Sequence, residues 1–300
     1  MKRTLLIAST LVSALCFAQD ASQAVKPPAA GEPPALGIHF AKGAVPAAAR
    51  TAARTRNVNM VWHNGAVMNN AAVTAIFWGP TWSNATFAAD KFSGMDSWYN
   101  GWAGSSYANT NTEYTGSGST HVTTALSYSG HIVDTTMASN GSSTATILAE
   151  VCKVIKTPVA NGYYPVYVDV KRGTAGFCAY HSFGTCGSVP VQFGFFFNLD
   201  GDSGCDPQDT RSTHSQGLEA IANVSGHELS EMLTDPRNGG WYDQQGNENG
   251  DKCAWTFNAS FVTFTNGSTW KIQGEWSNAA FNAGTGYPNS SGQRGCLQTK

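Results

Sequence analysis

The sequence has few charged residues and no marked excess of either sign. Only 13% of its 300 residues are Asp, Glu, Lys or Arg, and the formal net charge is −2. A surface that binds nucleic acid or an anionic membrane needs clustered basic residues, so neither partner is indicated. Glycine is abundant instead, with 32 residues. Together with frequent Asn, Ser and Thr, this is typical of an extracellular protein with an uncharged polar surface.

Long apolar runs are absent beyond the N-terminus. A basic start at residues 1–3 is followed by an apolar run over residues 4–17, which is too short to cross a bilayer as a stable helix. Small residues at the −3 and −1 positions fit cleavage after Ala18. We therefore predict that residues 1–18 are a secretory signal peptide. The mature protein is expected to be secreted and extracellular, without a membrane anchor.

Cysteine pairs of the CxxC kind are also absent, which argues against a structural zinc site built from thiolates. Cys16 lies in the predicted signal peptide, and a lipid anchor on it is disfavoured because Leu15 stands where a small residue is needed. The other six cysteines are an even number in a predicted secreted chain, so they indicate up to three disulfides of undetermined pairing. These six are Cys152, Cys178, Cys186, Cys205, Cys253 and Cys296.

The remaining chain divides into a leader and one folded region. Residues 19–57 are rich in Ala and Pro and cannot form a core of their own, so they are predicted to be a linker or a pro-segment. Arg50, Arg54 and Arg56 at the end of this leader would suit proteolytic processing, but a plain disordered leader is the favoured interpretation. Residues 58–300 are predicted to be a single domain.

Hydrophobic periodicity predicts a mixture of strands and helices in this domain. The strands are expected at about 73–78, 121–127, 131–134, 163–170, 189–198, 254–264 and 270–276, and the helices at about 84–102, 144–156 and 212–234. This order is typical of an α+β domain in which a mixed sheet packs on one long helix, here stapled by disulfides. The aromatic residues of these segments, such as Phe77, Trp98 and Phe193, are interpreted as core; a sugar-binding surface is the alternative.

One stretch of the long helix carries residues at metal-ligand spacing. His227 and Glu231 are four residues apart, so on a helix both side chains leave the same face one turn apart, and Glu228 lies beside them. This HExxE pattern nearly reproduces the HExxH helix of zinc proteases, in which two helical ligands hold the metal. We predict that His227 and Glu231 bind a metal, and that Glu228 is the general base for a metal-bound water. The alternative is a local His–Glu pair on a solvated helix face.

A third ligand is expected in the acidic region after the helix. Eleven of the twenty Asp and Glu residues lie between positions 200 and 251, and Glu248 follows His227 by 21 residues. Its Asn-Glu context matches the third ligand of thermolysin-like proteases, so Glu248 is predicted in that role. Asp251 is expected to orient a histidine ligand. Asp251, Asp243 and Asp235 are, in that order, the alternative ligands.

This ligand set constrains the ion. Two carboxylates and one imidazole carry a charge of −2, which neutralises a divalent cation and makes it a weaker Lewis acid than in a two-histidine site. Zinc is favoured, and manganese or calcium are alternatives because the shell is rich in oxygen. His181, His214, Tyr180 and Tyr242 could support a transition state if the fold brings them close; the alternative for each is a structural hydrogen bond.

A second acidic cluster spans residues 198–209. Its alternating Asn and Asp residues resemble a calcium loop, but Ser203 stands where that pattern needs Gly. We interpret the segment first as a strand-exit loop held by a disulfide through Cys205. Calcium at this separate site is the alternative.

Several short motifs between residues 60 and 296 carry a family resemblance. They lie at residues 63–67, 75–82, 178–182, 226–236, 240–243, 247–253 and 275–279. Together they resemble a family of secreted bacterial and fungal proteins that is distantly similar to the plant phosphate-induced, Exordium-like extracellular proteins. The resemblance implies secretion, a zincin-like helix and a role at the cell exterior, and it implies no particular activity.

Two classes of function follow. The first is a secreted metal-dependent hydrolase, most simply a peptidase that acts on an extracellular protein or peptide. The second is a non-catalytic extracellular protein, associated with a cell-wall polymer, that uses the same helix for structure or for a structural ion. Glu228 discriminates between them, because a structural site has no use for a free carboxylate beside the metal. Its presence favours the hydrolase.

Overall fold

A six-stranded mixed sheet forms the centre of the fold in the computed structural model, which describes residues 29–44, 58–209, 213–258 and 261–300. The long strands are β1 Leu36–Phe40, β3 Asn70–Trp78, β4 Ala125–Asp134, β5 Gly162–Lys171, β6 Phe177–Cys186 and β7 Val189–Asn198. The short strands are β2 Val61–Trp62, β8 Trp241–Tyr242, β9 Val262–Thr263, β10 Thr269–Trp270, β11 Glu275–Trp276, β12 Tyr287–Pro288 and β13 Arg294–Leu297.

The main sheet has the order β1-β6-β7-β5-β3-β4. The pairs among β4, β3, β5 and β7 are parallel, whereas β6 runs antiparallel to β7 and to β1. The inner parallel strands are nearly continuous runs of apolar and aromatic residues, as expected of strands covered on both faces. The antiparallel strands β6 and β1 therefore form one edge of the sheet.

The helices pack around this sheet. They are α1 Ala85–Ala88, α2 Lys91–Trp102, α3 Thr144–Val154, α4 Gln216–Thr234, α5 Asn249–Lys252 and α6 Asn278–Asn282. Helix α4 begins after Ser215, whose hydroxyl accepts a hydrogen bond from the Leu218 amide, and its residues from Gly217 onward are buried. It contacts β1, β6 and β7. None of the helices in these described ranges is long and apolar enough to span a membrane.

The observed elements differ from the predicted ones mainly at the sheet edge. The chain is a mixture of helices and a mixed sheet, as predicted. Helix α4 starts at Gln216 rather than at 212, because Ser215 caps it. The two strands predicted in 121–134 are one strand, β4, and the helix predicted over 84–102 is divided at Ala89, which has φ 45°. Strand β6 was not predicted at all.

Part of the predicted leader belongs to the fold. Leu36–Phe40, inside the segment predicted to be a linker or pro-segment, forms β1 and pairs with β6. The ordered chain therefore extends beyond the predicted boundary at residue 58. The predicted signal peptide and the three arginines predicted to mark processing lie outside the described residues.

Three disulfides form, which confirms the interpretation of the six cysteines. They join Cys152 to Cys186, Cys178 to Cys205 and Cys253 to Cys296. The first two hold β6 near both of its ends. Disulfides of this kind persist in oxidising compartments such as the cell exterior.

The acidic loop over residues 198–209 has partners within the protein. Asp200 lies 3.0 Å from the Lys91 ammonium, and Asp202 lies 2.6 Å from the Arg172 guanidinium. Cys205 ties the loop to β6. The interpretation as a strand-exit loop held by a disulfide is confirmed, and Asp200 and Asp202 are used in ion pairs. The aromatic residues Phe77, Trp98 and Phe193 are fully buried, so they are core.

Removal of the disulfide at the start of β6 is expected to weaken the fold. The Cys178→Ser/Cys205→Ser double variant should lose about 3 kcal/mol of unfolding free energy, because the unfolded chain regains the closure entropy of the loop. Chemical denaturation measures this loss. The first variant should also show faster amide exchange in β6. The matched Cys253→Ser/Cys296→Ser variant should lose a similar unfolding free energy but keep the amide exchange of wild-type β6. An unchanged free energy in the first variant would contradict the assignment.

Candidate metal centre

The HExxE residues lie on the face of α4 that is turned towards β6 and β1. His227 Nε2 lies 3.1 Å from Glu231 Oε2, without the geometry of a hydrogen bond. His227, Glu228 and Glu231 have no exposed surface. The alternative of a His–Glu pair on a solvated helix face is therefore wrong, because this face is fully buried.

The one-turn helix α5 places Glu248 beside α4. The Glu248 backbone amide donates to Asp251 Oδ2 at 3.2 Å, which caps α5. The next residue, Asn249, anchors the turn through its side chain. Its Nδ2 donates to Asn111 Oδ1 at 2.7 Å, and Asn111 Nδ2 donates to the Ser230 hydroxyl oxygen on α4 at 3.1 Å. This buried chain of hydrogen bonds holds the second half of the site rigidly against the first.

His181 joins this arrangement from β6. Its Nε2 lies 3.3 Å from Glu248 Oε1. Ligand atoms of His181, Glu231 and Glu248 all lie within 4.8 Å of one another, and the same holds for His227, Glu231 and Asp251. Glu231 is common to both groups. The predicted ligands His227 and Glu248 thus fall in different groups that Glu231 joins, and His181 adds a second imidazole.

A further imidazole comes from β1. The His39 ring stacks on the His227 ring with centroids 4.1 Å apart, and it also contacts Trp255 at 4.5 Å. One ligand atom each of His39, His227 and Glu228 lie within 4.8 Å of one another. Both ring nitrogens of His39 are buried without a hydrogen-bond partner. His39 therefore covers the part of α4 that holds the predicted general base.

The contact on the far side of the His227 ring comes from Gln273 and not from Asp251. Gln273 Nε2 lies 3.0 Å from His227 Nδ1 and donates to the Gly250 carbonyl at 2.9 Å. Asp251 Oδ1 lies instead 3.8 Å from His227 Nε2. The expectation that Asp251 orients this histidine is wrong, because its side chain lies on the ligand side. The Gln273 contact favours a proton on His227 Nε2, which must move before Nε2 can bind a metal.

Several polar atoms of the cluster are buried and have no hydrogen-bond partner in the part of the chain that the structure describes. Buried polar atoms almost always have one, so each exception needs an explanation. A divalent cation would satisfy those that belong to His227, Glu231 and Glu248, because imidazole nitrogen and carboxylate oxygen are donor types that zinc binds. The atoms are His227 Nε2, Glu231 Oε2, Glu248 Oε2 and both carboxylate oxygens of Glu228.

Burial sets the ionisation of the cluster. It raises the pKa of Glu228, Glu231 and Glu248 well above the usual range and that of Asp251 to about 8, and the neighbouring carboxylates add to this rise. Burial also lowers the pKa of His227 to about 4. In the described part of the chain, no Lys or Arg forms an ion pair with these carboxylates. Neutral imidazoles beside uncompensated carboxylates are a suitable environment for a cation.

The alternative ligands Asp235 and Asp243 are used elsewhere. Asp235 Oδ1 accepts hydrogen bonds from the Gly239 and Gly240 amides at 2.7 Å each, at the end of α4. Asp243 forms an ion pair with Lys252 at 2.9 Å. Both carboxylates shape the loops that lead to the site.

Of the four predicted transition-state donors, two are near the site. His181 belongs to the cluster, and Tyr242 lines a cleft of about 390 Å³ together with Glu248 and Asp251. Tyr180 donates to the Gly141 carbonyl at 3.0 Å. His214 stacks on Trp270 at 4.3 Å. The latter two contacts indicate structural roles.

Sequence reasoning missed two residues of the cluster as candidate ligands. His181 was considered only as a donor, and His39 was placed in the leader. A usable signal was present for His181, which stands three residues after Cys178 in one of the family-like motifs. No comparable signal marks His39.

In comparisons with protein-family models, curated proteins and solved structures, nothing matches the chain. The family resemblance therefore stays a prediction.

Replacing His181 tests whether it belongs to the metal site. The His181→Ala variant is expected to bind zinc about tenfold or more weakly, because an imidazole of the cluster is lost. Competition with a chromogenic chelator gives the affinity. His131→Ala is the matched control, since His131 pairs with Asp96 outside the cluster. Equal zinc affinity of His181→Ala and wild type would remove His181 from the site.

The buried carboxylates also predict how pH affects the metal-free protein. The folded pKa of Asp251 is about 8 against 3.8 ordinarily, so the native state binds a proton that the unfolded state has lost. Stability from such a group is full below pH about 4 and is lost as pH rises through about 8. Burial lowers the pKa of His39, His181 and His227, so these imidazoles of the cluster are neutral in the native state across this range.

The melting temperature of chelator-treated protein should therefore fall between pH 6.5 and about 8.5. Saturating zinc should reduce this fall, because the cation takes the place of the protons. Glu231→Gln should also reduce it in the metal-free protein. A melting temperature independent of pH in this range would contradict the raised pKa values.

Proposed function

We propose that this chain is a secreted metal-dependent hydrolase of the zincin type, in the first place a peptidase. His227, Glu231 and Glu248 would hold the ion, His181 would assist them, and Glu228 would be the general base. The observation that carries the proposal is the Glu228 carboxylate. It is fully buried beside the candidate ligands, and among the described residues neither of its oxygens accepts a hydrogen bond of normal geometry.

Each residue of the site has a separate role in the proposed hydrolysis. A divalent cation, most simply zinc, supplies a Lewis acid that acidifies water and polarises the scissile carbonyl. Glu228 accepts the proton of the attacking water and passes it to the leaving amine, and burial raises its pKa, which makes it a stronger base than a solvated carboxylate. Glu231 and Glu248 neutralise the charge of the cation. The hydrogen bonds from Asn249 and Asn111 keep α5 in place during the reaction.

The architecture supports the proposal of one zincin-like domain over residues 58–300. Helix α4 carries the motif beneath a mixed sheet, and a carboxylate ligand follows on a second, short helix. The polypeptide reaches this ligand through a loop that Asp235 and Asp243 shape. Secretion, which the three disulfides support, would place the site outside the cell.

A second candidate is a non-catalytic extracellular protein with a structural ion or an inactive site. Two observations favour it: the site has no exposed ligand, and Gln273 favours a proton on His227 Nε2. This candidate leaves the two unpartnered oxygens of Glu228 without a purpose. The hydrolase accounts for them.

Replacing Glu228 distinguishes the two candidates. Glu228→Gln should keep its metal and lose about 10²-fold or more of peptide turnover, because the ligands remain and the proton acceptor is lost. Metal content and turnover of casein or gelatin are measured on protein recovered from the medium and cleaved before residue 58. Glu219→Gln is the matched control, as a buried glutamate at the other end of α4.

Equal turnover of Glu228→Gln and Glu219→Gln would remove Glu228 from catalysis. A metal-loaded, processed wild type without turnover of any peptide would favour the structural ion.

A further inference from the structure

The segment that covers the candidate metal centre belongs to the leader. We infer that residues 33–41 are an inhibitory peptide lying in the substrate cleft, and that this cleft accepts an extended polypeptide strand antiparallel to β6. The inference rests on the proposed function. It specifies the substrate as an extended chain and the regulation of the site as self-inhibition.

Strand β1 occupies the sheet edge that a substrate would use. It pairs antiparallel with β6, with Leu36 opposite His181 and Phe40 opposite Phe177. Without β1, β6 would present a free row of backbone donors and acceptors next to the cluster. Addition of a strand to such an edge is a common mode of peptide recognition.

At Gly37 the β1 backbone lies very close to the candidate ligands. A Cβ atom at this residue would lie 2.0 Å from Glu231 Oε2 and 2.6 Å from His181 Nε2. Its φ of +47° also favours glycine. The irregular pairing between Leu36 and His39 lies at the same place. The main chain of this segment therefore passes where the scissile peptide of a substrate has to lie.

His39 fills the space beside the general base. Its ring stacks on His227, and one of its nitrogens lies within 4.8 Å of ligand atoms of His227 and Glu228. In the proposed hydrolase, the attacking water would have to occupy this space. A neutral imidazole can also bind a metal through a ring nitrogen. His39 thus keeps water from Glu228 and offers a ligand to the ion at the same position.

The segment is held mainly through its backbone. The Ser182 hydroxyl donates to the Pro34 carbonyl at 2.7 Å, and the Trp255 indole donates to the Phe40 carbonyl at 2.8 Å. The Ala41 amide donates to the Gly176 carbonyl at 3.0 Å. Another extended peptide could make the same bonds if a glycine stands at the position of Gly37. The cleft is therefore expected to bind polypeptides whose sequence varies on either side of this glycine.

The covering segment can also leave. Residues 19–57 contain no cysteine, so cleavage between residue 44 and residue 58 would leave the segment without a covalent link to the enzyme. The three arginines of this stretch, Arg50, Arg54 and Arg56, would suit such cleavage. With the segment in place, His227 and Glu228 have no exposed surface, so no substrate can reach them.

The test uses the uncleaved full-length protein and two variants of β1. Gly37→Ala should displace the segment, because its Cβ would overlap Glu231 and His181. His39→Ala should weaken the segment without that overlap. Gly31→Ala is the matched control, since Gly31 also has a positive φ, +83°, and a Cβ there would meet nothing within 4 Å.

Three measurements are made on each protein: amide exchange of residues 177–182, binding of a labelled peptide with the sequence of residues 33–42, and turnover of casein. Gly37→Ala should raise exchange, peptide binding and turnover by about tenfold or more over wild type, because the open state becomes populated. His39→Ala should raise them less, and Gly31→Ala should not. The peptide should inhibit processed wild type, and its His39→Ala form should inhibit less.

The outcomes separate the inference from the proposed function. Uncleaved wild type that turns over casein as fast as Gly37→Ala would overturn the inference and leave the hydrolase standing. Raised exchange and peptide binding without any turnover would support the cleft and overturn the hydrolase. If Gly37→Ala fails to fold, an absence of effect in His39→Ala and of peptide binding to processed wild type would overturn the inference.

Discussion

The rest of the site depends on a group of carboxylates buried without a basic partner. Glu228, Glu231 and Glu248 lie around neutral imidazoles, and in the described ranges no Lys or Arg pairs with them. Burying one such charge is costly unless it is protonated or compensated. The cluster is therefore stable either with bound protons or with a cation. Whether protons or a cation are bound therefore affects the stability of the domain, its response to pH and its chemistry.

The fold holds these groups from three independent directions. Helix α4 supplies two residues one turn apart, the capped turn α5 supplies Glu248, and β6 supplies His181. Disulfides near both ends of β6 and the hydrogen bonds of Asn249 limit how far each part can move. A metal site requires such rigidity, because ligand positions have to be kept within a fraction of an ångström.

The pairing of β1 with β6 has two effects. An uncovered β6 would be an exposed sheet edge, which invites aggregation with other chains. Strand β1 covers this edge and places Gly37 and His39 over the cluster. In the proposed hydrolase, protection of the edge and inhibition of the site are the same interaction. Cleavage of the leader would then expose both together.

The sequence by itself determined the parts of this protein that depend on local spacing. The i, i+4 relation of His227 and Glu231, the strand at residues 189–198 and the even number of cysteines are all visible in the chain order. Only the tertiary structure decided that β6 brings His181 to Glu248, that Gln273 contacts His227, and that β1 covers them. These contacts join residues far apart in sequence, and strand pairing leaves no mark in the local periodicity of either partner.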